Sequence, residues 1–63
     1  RLRRIEKLHA ECEALETELA EIEQALYGDA ATDYERVAAL DARKSEIEEQ
    51  LLADYEELEE LEA

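Results

Sequence analysis

His9 and Cys12 stand three residues apart. On a helix that spacing lets an imidazole nitrogen and a thiolate touch one metal ion from the same face. A zinc site needs about four N, S or O ligands, and the chain holds one His and one Cys. No metal is therefore expected. Cys12 reads as a small core residue and His9 as a flanking residue near Glu48. Carboxylate neighbours are plentiful, among them Glu48-Glu49, Glu56-Glu57 and Glu59-Glu60. Acid–base work needs a pocket that raises one carboxyl pKa, and open helix surface provides none. A phosphate loop, a nucleophile–base set and a calcium loop are all missing from the sequence. The chain by itself is expected to be no enzyme and to hold no cofactor. A single cysteine also excludes an internal disulfide framework.

One cluster could bind something. The opening "RLRRIEK" carries Arg1, Arg3, Arg4 and Lys7, four of the seven basic residues. These are the candidate nucleic-acid contacts, because Lys and Arg neutralise phosphates. The other reading is local compensation. The last ten residues contain Asp54, Glu56, Glu57, Glu59, Glu60 and Glu62, and a fold that brings the two ends together would cancel most of the field. The net charge is −13, which disfavours general binding to DNA or RNA.

Long helices must position these groups. The chain is 43% charged, has no Pro, Trp or Phe, and is 46% hydrophobic. That is the composition of a coiled coil rather than of a disordered segment. Ile5, Leu8, Cys12, Leu15, Leu19, Ile22 and Leu26 repeat at gaps of three and four, an unbroken a/d seam. The spacing predicts a helix over 2–27, about 39 Å long at the usual rise. Val37, Leu40, Lys44, Ile47, Leu51, Asp54, Leu58 and Leu61 continue the period over 33–62. Two of these are polar. The Lys44 stem can lie along the seam with its ammonium in water, and Tyr55 can supply the apolar surface that Asp54 lacks.

Between the seams lies "YGDAATDY", with the only glycine. Gly28 suits the left-handed residue that ends a helix. Thr32-Asp33-Tyr34-Glu35 has the form of a capping box with Thr32 as N-cap. A turn over 28–32 therefore predicts an all-α fold, an antiparallel two-helix coiled-coil hairpin and a single domain. Centred near Ala30, the turn makes facing residue numbers add to about 60. That register sets Arg4 beside Glu57, Glu18 beside Arg43 and His9 near Glu48. Leu19 would meet Leu40, Ile22 would meet Val37, Leu8 would meet Leu51 and Cys12 would meet Ile47. Leu2 would lie near Tyr55 and Leu58, leaving Leu61 without a partner, as if the first helix began upstream. The chain starts at Arg1 rather than at a methionine, so it is read as an excerpt of something longer.

The pieces "EALETELAEIEQAL", "GDAATDYERVAAL" and "YEELEEL" resemble the C-terminal coiled-coil domain of ABC-F family ATPases, soluble ABC proteins that act on ribosomes. The resemblance spans nearly the whole chain. It departs where relatives often carry Trp near the end and this chain has Leu58. It implies a non-catalytic appendage, with ATP and Mg bound only by the parent ATPase domains upstream. It also implies a role in positioning that parent on ribosome, RNA or DNA, in the cytoplasm. No run approaches the roughly 20 apolar residues needed to span a bilayer, so no membrane contact is expected. A weaker resemblance is to tRNA-contacting coiled-coil arms of aminoacyl-tRNA synthetases. The rival class is a structural or oligomerisation module. Ala38, Ala42 and Leu52 form only a weak apolar stripe off the seam, so a monomer or weak homodimer is expected.

Overall fold

The heptad spacing becomes two helices, α1 (Leu2–Tyr27) and α2 (Tyr34–Glu62), in a computed structural model that describes residues 1–63. They run antiparallel as a rod of 45 × 15 × 13 Å. Leu8, Cys12, Ile22, Ile47, Leu51 and Leu58 are buried between them, with Ile5, Leu15, Leu19, Leu26, Leu40 and Leu61 packed alongside. Every seam position read from the sequence is buried or half-buried. The seam thus supplies nearly all the apolar burial available to a chain of this size.

The turn differs from its expected form. Gly28 ends α1 at φ −114°, on the ordinary side of the map, not in the left-handed region. Its amide donates to the Ala25 carbonyl at 3.2 Å, and the Ala30 amide reaches the same carbonyl at 3.0 Å. What requires glycine is closeness: a Cβ there would stand 2.9 Å from the Gln24 carbonyl oxygen. The cap of α2 is Asp33, not Thr32. An Asp33 carboxylate oxygen accepts from the Arg36 amide at 3.2 Å, so the turn runs over 28–33 and α2 starts at Tyr34. Aspartate is as good an N-cap as threonine and brings a charge that suits the helix dipole. Arg36 also pairs with Asp29 at 3.2 Å, while Ala30 is fully buried.

The register is displaced as well. Arg4–Glu57 and Glu18–Arg43 form as expected, but they define only one edge of the hairpin. The other edge carries His9–Glu62 and Tyr55–Glu16, so His9 is not beside Glu48. Between the edges, facing residue numbers add to about 66 rather than 60. Leu8 is then level with Leu58, Leu15 with Leu51, Leu19 with Ile47 and Leu26 with Leu40. Leu61 is level with Ile5 and packs against the core, so it does not lack a partner, whereas Leu2 is largely exposed. The cause lies in the turn. Residues 28–31 carry the path of α1 onward before the chain reverses, and the first turn of α2 stands beside the loop, as Arg36–Asp29 shows.

Candidate functional site

The basic end is built by the first two turns of α1. Its four charges do not stand equal. Arg1 caps the far end of α2, its Nε donating to the Leu61 carbonyl at 2.9 Å. That carbonyl is one of the orphan acceptors at a helix C-terminus, where a cation also suits the dipole. The Arg4 guanidinium forms two parallel hydrogen bonds to Glu57, at 2.7 and 2.8 Å. This fork holds the Glu57 carboxyl below its usual range and pushes Arg4 up. Arg43 grips Glu18 in the same way at 2.7 and 2.9 Å and holds that carboxyl down too. Arg3 and Lys7 are exposed and make no ion pair. They lie four residues apart, on one face of α1. Of the four candidate contacts, two are spent holding the hairpin and two face solvent.

His9 and Cys12 are not brought to one point. Cys12 is buried in the seam, and burial first, then the charge of Asp54, pushes its thiol up. His9 turns outward to Glu62 at 3.5 Å. No three His, Cys, Asp or Glu side chains converge as metal ligands. Two surface grooves exist, one along Glu56, Glu59, Glu60 and Ala63, the other along Ala10, Glu13, Ala14 and Thr17. In the second, the Thr17 hydroxyl is turned back along the helix and donates to the Glu13 main-chain carbonyl at 3.0 Å.

Lys44 behaves as its long stem allows, half-buried at the seam with its ammonium 3.6 Å from Glu23. Asp54 does not step aside for Tyr55. Tyr55 stays 45% exposed while Asp54 is 2% exposed, the only buried charged residue. The Tyr55 hydroxyl donates to Glu16 instead, and this bond pushes the phenol up to about 12. Asp54 is level with Cys12, whose small side chain leaves room for a carboxylate. That cross-seam match could have been read from the sequence only with the correct register.

The family model for the ABC transporter C-terminal domain matches residues 1–63. It bears out the ABC resemblance over the whole chain, in preference to the synthetase arm. No curated protein and no solved structure matches the chain. No helix is long and apolar enough to cross a membrane.

Proposed function

The chain belongs to the ABC transporter C-terminal domain family, and from that membership we propose that it is the coiled-coil arm of a cytoplasmic ABC-F type ATPase. ATP and Mg would be handled by the parent's other domains, and the arm adds no catalytic group. It acts as a stiff spacer that positions the parent on a ribosome or a nucleic acid, as a monomer or weak homodimer. The observation that supports a spacer is the 45 Å rod with one continuous seam. Paired helices resist bending along their whole length, whereas a loop or linker of equal length would not.

Contact with phosphate, where it occurs, falls to the basic end, and there to Arg3 and Lys7 more than to Arg1 and Arg4. A chain carrying −13 repels phosphate along most of its surface. The isolated hairpin is therefore expected to bind labelled RNA or duplex DNA weakly at physiological salt. Residual binding should fall steeply with added salt, because each phosphate contact releases counterions. It should also drop further in Arg3→Glu/Lys7→Glu than in wild type. Tight binding that survives both substitutions would place the contact elsewhere.

A further inference from the structure

Asp54 presents an unsolved polar problem in the seam. Its Oδ1 accepts from the Gln50 side chain at 2.8 Å. Its Oδ2 is buried with no partner, the only such side-chain atom in the protein. An ionised carboxylate can only accept, so a donor is needed. The groups around it leave few choices. From α2, the Gln50 amide is already used on Oδ1, the Tyr55 hydroxyl is held by Glu16, and Glu57 is an acceptor bound to Arg4. From α1, the Arg4 fork is taken by Glu57, and the Cys12 thiol is a weak donor. The remaining neighbour is Glu11, one residue before Cys12 on α1, which can donate only when protonated.

We propose that Glu11 and Asp54 form a proton-linked clamp: one proton taken from solvent onto the pair joins α1 to α2 through a carboxyl–carboxylate hydrogen bond, and its release loosens the seam at that level. An exposed carboxylate beside a buried one, as Glu11 is beside Asp54, cannot ionise as freely as a lone one. The Glu11 carboxyl is accordingly pushed up, first by the hydrogen bond that its protonated form would give Asp54, then by desolvation and by the Asp54 charge, with Glu57 adding to this and Arg4 opposing it. The folded pKa then lies above the unfolded one. The clamp's contribution is complete below the ordinary carboxyl value of 4.5 and is lost as pH rises through the raised value. Glu18 and Glu57 work in the opposite sense. Their lowered pKa values give stability that is present above the ordinary carboxyl range and lost as pH falls through them.

The test is thermal unfolding of the 63-residue chain between about pH 5 and about pH 8, alongside Asp54→Asn and Glu48→Gln. Both variants remove one negative charge, the second on open surface without a partner. Wild type and Glu48→Gln should lose Tm in parallel as pH rises. In Asp54→Asn the new amide donates to ionised Glu11, so Tm near pH 8 should exceed that of wild type by about 4–8 °C and depend less on pH. Carboxyl NMR of wild-type Glu11 gives a readout that needs no variant: it should titrate above the other exposed glutamates. An Asp54→Asn profile parallel to wild type, or a Glu11 titration in the ordinary range, would overturn the clamp.

Discussion

Ile47→Ala should abolish cooperative unfolding of the hairpin near room temperature. Ile47 is fully buried and, with Leu8, is one of the two largest side chains wholly enclosed. Truncating a buried Ile to Ala costs about 2–5 kcal/mol, part of it for the cavity left behind. A core in a chain this short rarely supplies more than about 3–5 kcal/mol in total. The loss is thus comparable with the whole stability. Leu52→Ala is the matched control, since Leu52 is 61% exposed and surface truncations usually stay within about 0.5 kcal/mol. Helical circular dichroism against temperature should show a broad, low transition for the first variant and a near wild-type curve for the second. Equal curves would mean that the seam is not where the stability resides.

Gly28→Ala carries the second large effect. In a compatible place this change stabilises by about 0.4–1 kcal/mol, through the unfolded chain. Here the added Cβ would stand 2.9 Å from the Gln24 carbonyl oxygen. That atom is backbone in the last turn of α1, so the helix end or the loop must move. A net loss of roughly 1 kcal/mol or more is expected, visible as a lower Tm. The same strain favours an opened chain whose helices pair with a second copy, so sedimentation should show more dimer than wild type. A variant as stable and as monomeric as wild type would show that the turn tolerates a side chain.

These residues also show how far the sequence could be read. The seam was legible because a/d spacing is a direct image of burial: Leu8, Ile22, Ile47 and Leu58 all lie inside. The Arg4–Glu57 and Glu18–Arg43 pairs were legible too, since one edge of the hairpin keeps the simple register. The full register was not. It depends on how residues 28–33 leave α1, and Asp33 takes the cap that Thr32 could have taken. Choosing between two adjacent cap residues turns on backbone angles that side-chain identity does not fix. The burial of Asp54 followed from the same gap, because only the shifted register sets it across from Cys12. At the basic end, the types of Arg1, Arg3, Arg4 and Lys7 were plain. Which of them stay free was decided by the partners that α2 brings, Leu61 and Glu57.

An arm that works by its length and stiffness should fail when its length alone is changed. Repeating Leu15–Glu21 in α1 and Ser45–Leu51 in α2 preserves the three–four spacing of both seams. It lengthens the rod by about 10 Å at the helical rise. The added heptads bring more apolar pairs, so the arm should fold at least as stably as before. Ribosome or RNA binding by the parent ABC protein carrying this longer arm should fall by about tenfold or more, because two attachment points no longer meet together. Binding that is unchanged by the extra length, yet lost when the arm is removed, would contradict a positioning spacer and leave the arm as a tether.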